Sequence, residues 1–192
     1  MRALGQRGIG LIEVLVSLVL ISVGLLGILQ LYAAGQRSEL EAYQRAQAMV
    51  MLEDMVSRIN TNRSAARCYA INNNSPDVYL GTGNSDTYNC SGYGTQATRT
   101  MADADLASWD DLLKGATETS SDGSTKFGGL VDARGCISSN AAGDVITVAV
   151  AWTGNADISS AANNCAAGEY GASDAGRRRV VTSTVRLADL DG

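Results

Sequence analysis

The chain has 192 residues, enough for one domain and an anchor. Charged residues make up 18% and aromatics 5%, so a large aromatic core is not expected. The net charge of −5 argues against a surface built to hold nucleic acid. The absence of His removes Ser-His-Asp and Cys-His catalysis and any His-based metal site.

Residues 1–8 carry Arg2 and Arg7 and no acid, and positive charge before an apolar run keeps that end cytoplasmic. The run from Val14 to Gly35 holds no charge and is long enough to cross a bilayer, which takes about 20 residues. Glu13 stands at its edge, the only side chain from Ile9 to Ala34 that is charged at neutral pH. A carboxylate there is expensive and asks for a function. A secretory signal would be shorter and end in a small-residue cleavage site. A plain one-span anchor explains the length and the two arginines but gives no reason for Glu13.

The string Gln6-Arg7-Gly8-Ile9-Gly10-Leu11-Ile12-Glu13-Val14-Leu15 resembles the processing site of type IV prepilins and pseudopilins. Those sites have a Gly, the cut, an apolar residue, and a Glu at the fifth mature position. The resemblance implies cleavage between Gly8 and Ile9 by a prepilin peptidase and methylation of the new amine at Ile9. It also implies an assembly role for Glu13, paired with the N-terminal amine of a neighbouring subunit. Residues 1–8 would then be a leader, and the apolar helix would stay on the mature protein. The string departs from the family at Ile9 and Gly10, where Phe or Met and then Thr are commoner.

Residues 9–60 read as one long helix, with its membrane-spanning half at about 9–34. No Pro interrupts it, and Gly24, Gly27 and Gly35 are its weak points. Over 36–60, Met49, Leu52, Val56 and Ile59 follow 3-4-3 spacing, which predicts one apolar stripe packed on the chain's own globular part.

Residues 61–192 form the expected globular domain. The stretch 68–100 is rich in Asn, Ser, Gly, Thr and Tyr and reads as an irregular connection. Tyr69, Tyr79, Tyr88 and Tyr93 are expected to pack locally with wet hydroxyls. A short helix is predicted at about 103–114, capped by Asp103, with Leu106, Trp109 and Leu113 on one face and Lys114-Gly115 at its end. Trp109 is its expected anchor against the domain. Ser120 to Lys126 is a polar turn region.

Val145 to Trp152 alternates, with Ile146, Val148, Val150 and Trp152 on one face. Val180 to Leu187 alternates again, with Val181, Val185 and Leu187 on one side. A shorter strand near Leu130 or Cys136-Ile137 completes a small antiparallel sheet. The order is α+β, a long helix laid on a sheet.

Cys68, Cys90, Cys136 and Cys165 form no Cys-x-x-Cys pair, which argues against zinc. An even count beyond a membrane segment predicts two disulfides in an oxidising compartment. Three pairings are open, and the shorter loops favour Cys68–Cys90 with Cys136–Cys165.

The remaining clusters are weaker. Arg177-Arg178-Arg179 is three basic residues in an acidic domain and reads as a solvated loop or a salt-bridged contact with a neighbouring subunit. DNA binding needs several phosphate contacts, so nucleic acid is not an expected partner. Asp189 and Asp191 do not supply the six or more oxygens calcium needs. Asp110 and Asp111 are adjacent on a helix and point apart, so they form no acid–base pair. No metal, cofactor or catalytic site is expected, and the chain reads as a non-enzyme.

The helix Asp105-Leu106-Ala107-Ser108-Trp109, the strand ending Val150-Ala151-Trp152, and the basic loop leading into Arg179-Val180-Val181-Thr182 are similar to the PilV group of minor pilins. That resemblance implies a minor pilin that helps initiate type IV pilus assembly and enters the fibre. It would be a single-pass inner-membrane protein with a cytoplasmic N-terminus and a periplasmic domain before assembly. Its partners would be other minor pilins, the major pilin, the prepilin peptidase and a tip adhesin. A minor pseudopilin of a type II secretion system and an unrelated membrane-anchored periplasmic protein are the two rival readings.

Overall fold

A computed structural model describes residues 10–71, 75, 77–115, 118–119, 126–127, 130–157, 161–171 and 174–187. The chain divides into two compact units, Met1–Leu40 and Glu41–Gly192. Helix α1 (Leu11–Thr61) supplies the described part of the first unit and opens the second. It runs without a break through Gly24, Gly27 and Gly35.

In the second unit, a 3-10 segment (Arg63–Tyr69) and β1 (Leu80–Gly81) lead to α2 (Gln96–Leu113). A two-stranded ribbon follows, β2 (Glu118–Thr119) with β3 (Lys126–Phe127). Then come β4 (Arg134–Ser139), β5 (Val145–Thr153), the single turn α3 (Asp174–Arg177) and β6 (Arg178–Arg186). The main sheet is antiparallel in the order β1-β4-β5-β6. The fold is α+β, with a long N-terminal helix packed on a small antiparallel sheet, as the alternating strands imply.

The core lies between the sheet and the helices. Ile146, Val148, Val150 and Trp152 of β5 are all buried, as their spacing predicts. From α1, Ala48, Met51, Leu52, Met55 and Ile59 enter the core. Met49 does not, being 44% exposed, and Val56 is half-buried. The buried stripe is therefore turned from the predicted one, with Met51 and Met55 joining Leu52 and Ile59 in the core.

Helix α2 begins well before the predicted start. Thr95 is its N-cap, and Thr95 with Thr98 forms a reciprocal capping box. Asp103 is thus no cap but lies inside the helix, where its carboxylate accepts from the Cys90 amide at 2.8 Å. The helix stops as expected, with Lys114 at the C-cap and Gly115 in the left-handed region at φ +73°. Trp109 is fully buried and its indole N–H donates to the Met51 carbonyl at 2.9 Å. It tethers α2 to α1 by a hydrogen bond as well as by area.

The other face of the sheet is covered too. Cys136, Ala149, Ala151, Cys165 and Ala166 form a second small buried cluster. The disulfide Cys136–Cys165 pins the loop after β5 onto this face, and Cys68–Cys90 ties the 3-10 segment to the approach to α2. Arg134 lies buried on the same face between the rings of Tyr79 and Tyr170, its guanidinium 5.3 and 4.5 Å from their centres.

Two expectations need correction here. Tyr69 is not a wet surface tyrosine. It is fully buried, its hydroxyl donates to Asp105 at 2.5 Å, and it accepts from Asn62 at 3.1 Å. Nor is Arg177-Arg178-Arg179 a solvated loop. Arg178 and Arg179 open β6 and are buried. Arg178 donates to the carbonyls of Asn163 and Cys165, and Arg179 to those of Gly176 and Ala156. Only Arg177 is exposed, and it pairs with Asp157.

Candidate functional site

The candidate site is the start of α1 and the apolar face behind it. Gly10 precedes the helix, and its carbonyl accepts from the Glu13 and Val14 amides at 3.0 and 3.4 Å. Glu13 therefore lies in the first turn of α1, where unpaired amides carry partial positive charge and favour a carboxylate. Among the described residues it has no ion-pair partner. Gly8 and Ile9, the predicted cleavage and methylation positions, lie outside the described residues, as do Arg2 and Arg7.

Behind Glu13 the helix exposes a continuous apolar surface. Leu15, Leu18, Ile21, Leu25 and Leu29 are each more than half exposed. This is the one described helix long and apolar enough to cross a membrane. The two serines of its apolar run, Ser17 and Ser22, are already satisfied within the helix. Ser17 donates to the Glu13 carbonyl at 2.7 Å and Ser22 to the Leu18 carbonyl at 2.8 Å. The hydroxyls therefore add little cost in lipid, and Glu13 is left as the charged exception.

In the second unit, the polar groups serve the fold. Asp110 accepts from the Gly81 amide at 2.7 Å and from Asn84 at 3.1 Å, and pairs with Lys114 at 2.5 Å. Asp111 is exposed. The two aspartates do point apart. Asp105 receives Tyr69 on one oxygen and Arg58 on the other, the latter at 2.9 Å. Burial, with the Asp105 carboxylate beside it, pushes the Tyr69 phenol well above its ordinary pKa, while the Asn62 amide opposes that shift. Among the described residues, no group of three or more His, Cys, Asp or Glu side chains could hold a metal. The Asp189 and Asp191 carboxylates lie outside the described residues.

A helix of this kind, entering an α+β domain with a small antiparallel sheet, is the layout of a type IV pilin-like protein. Comparison with protein families agrees: residues 4–29 match the prokaryotic N-terminal methylation motif. That motif is the signature of type IV pilins and pseudopilins. It implies processing by a prepilin peptidase and assembly with other pilins, and with the apolar helix it fits inner-membrane anchoring. Comparison with curated proteins and with solved structures gives no match.

The sequence missed Thr95 as a cap and the stacking of Arg134. Thr95-x-x-Thr98 is a readable signal, although the capping box more often ends in Glu or Gln. Arg134 left none, since both of its rings come from distant loops.

Proposed function

We propose that this chain is a minor pilin of the type IV pilus, similar to the PilV group, that helps initiate assembly and enters the fibre. It is cut after Gly8, and the new Ile9 amine is methylated. Its N-terminus faces the cytoplasm before assembly and its disulfide-bonded domain faces the periplasm. Its role is structural, with no catalysis of its own. Other minor pilins, the major pilin and a tip adhesin are its partners.

The observation that carries this reading is the methylation motif at residues 4–29, set on an apolar helix whose lower half belongs to an α+β domain. In lipid the helix is solvated on every side. In a fibre the same surface packs against other helices, and the charge on Glu13 is offset by an amine. The two disulfides support an oxidising compartment for the domain.

Co-expression with a prepilin peptidase and intact-mass measurement tests the processing step. The expected product begins at methylated Ile9, and an uncut chain overturns the reading. Sheared fibres are then probed for the chain, and a deletion strain for piliation. Normal piliation with lost protein secretion would move the chain to a type II secretion pseudopilus.

A further inference from the structure

Strand β6 is an edge strand, and among the described residues its outer edge is open. The Leu187 amide donates to Asp144 and the Gly154 amide to Arg177, at 2.7 and 2.8 Å. With the β5–β6 register, these two bonds fix the parity of the ladder. The odd-numbered residues of β6 bond to β5. The even ones, Val180, Thr182, Thr184 and Arg186, turn their amides and carbonyls away from it.

Among the described residues nothing meets those groups. Arg178 at the start of the strand is held by loop carbonyls, but Thr182, Thr184 and Arg186 are exposed. Proteins normally blunt such an edge with Pro, charged side chains, a bulge or a covering segment. β6 has no Pro and no bulge, two of its three arginines are buried, leaving Arg186 at its end as the exposed charge, and its register with β5 is unbroken from Arg178 to Arg186. Its open part is β-branched and hydroxylated, the composition that favours pairing.

We propose that the β6 edge is the docking site for an extended segment of a different subunit, added as a fifth strand. This rests on the proposed role in a fibre. Backbone donors and acceptors repeating every second residue are matched by another strand and by no helix. Along the outer face the incoming strand meets Thr182 and Thr184. It needs a carboxylate opposite Arg186, which has no ion-pair partner among the described residues. Along the inner face it lies beside Val181, Ser183 and Val185 and needs small apolar residues. The partner segment is therefore alternating, with an acid near one end.

A second copy fits less well. Two β6 strands laid antiparallel, with Thr182 of one copy opposite Thr182 of the other, place Arg186 of each copy opposite Arg178 of the other. Like charges at that spacing disfavour the pairing.

The test is hydrogen exchange on the full chain, once in detergent micelles and once in sheared fibres. Amides of Thr182, Thr184 and Arg186 are expected to exchange rapidly in micelles and about a hundredfold more slowly in fibres. Thr184→Pro removes an outward N–H and no bond to β5, so it should leave the thermal midpoint unchanged and lower fibre incorporation about tenfold. If that variant loses its fold, Arg186→Glu gives the same readout without touching the backbone. Edge amides that exchange equally fast in both states, with the chain present in the fibres, overturn this proposal alone. A chain absent from fibres overturns the proposed function with it. Protection in micelles that grows with concentration assigns the edge to a second copy and overturns the choice of a different subunit.

Discussion

Arg179 on β6 donates to Glu41 on α1 at 2.9 Å, across 138 residues of sequence. Glu41 opens the second compact unit, and the same oxygen accepts from the Asn155 amide at 3.2 Å. One carboxylate thus binds the helix to the last strand and to the loop after β5. Arg179 is nearly buried, whereas the Glu41 side chain is about a third exposed (34%). The pair is accordingly weaker than a fully buried one, because solvent screens the acid. Glu41→Gln should cost about 1–2 kcal/mol. Arg179→Ala should cost more, since the Gly176 and Ala156 carbonyls lose their donor as well. Thermal unfolding of the full chain in detergent checks the order of the two losses.

Gly135 on β4 lies under the ring of Trp109. A Cβ there would meet that ring and the Leu113 side chain. Neither neighbour can withdraw, because both are fully buried. Gly135→Ala is expected to destabilise the domain by about 1–3 kcal/mol through overpacking. The combined variant with Trp109→Phe should recover part of that loss in the same measurement, whereas strictly additive losses would count against the contact.

Tyr69 makes stability fall at alkaline pH. Its phenol is held above its ordinary value in the folded chain, first by burial and then by Asp105. A raised folded pKa means that the unfolded chain loses its proton first as pH rises. The stabilising contribution is therefore complete below about pH 10 and is lost as pH climbs through the folded value. Tyr170, raised mainly by burial, behaves in the same direction. Phenolate absorbance during an alkaline titration should show late tyrosines that ionise together with unfolding. Tyr69→Phe should remove one of them and cost about 1–2 kcal/mol at neutral pH.

The Cys136–Cys165 bridge spans 29 residues of sequence and holds a loop whose carbonyls receive Arg178. Replacing both cysteines by Ala should cost about 3–4 kcal/mol on loop-entropy grounds. Chemical denaturation of the oxidised chain and the variant, compared directly, measures that loss. The Cys68–Cys90 loop is shorter, with a separation of 22, and its removal should cost slightly less.

Much of this fold is legible in the sequence because its pattern is local. The period-two run in β5, the alternation in β6 and the placing of Trp109 need only neighbouring residues. What was missed depends on distant partners. Three consecutive arginines look like a solvated loop, and only the carbonyls of Ala156, Ala161, Asn163, Cys165 and Gly176 and the carboxylate of Glu41 show why two of them turn inward. Tyr69 looks like one loop tyrosine among several until Asp105 and Asn62 close around it. The beginning of α2 was hidden because its cap is a Thr–Thr pair, while Asp103 offered a stronger false signal. At the candidate site the balance is reversed. The Gly8–Glu13 spacing is legible in sequence, whereas the structure describes Glu13 but neither Gly8 nor Ile9.

Glu13 gives the sharpest separation between anchoring and assembly. Its carboxylate sits in the first turn of α1, at the edge of a run that carries no other charge as far as Gly35. For anchoring alone it is a penalty, so Glu13→Ala should enter the membrane at least as well as the natural chain. Cleavage should also persist, since Gly8 and the apolar run are unchanged. On the proposed reading, the missing carboxylate leaves a neighbour's N-terminal amine unpaired in an apolar fibre core, at a cost of several kcal/mol. The expected result is a processed, membrane-held subunit whose amount in sheared fibres falls at least about tenfold. Immunoblots of membrane and fibre fractions measure both quantities on one sample. Equal incorporation of Glu13→Ala and the natural chain would remove Glu13 from assembly and leave its place in the motif to another cause.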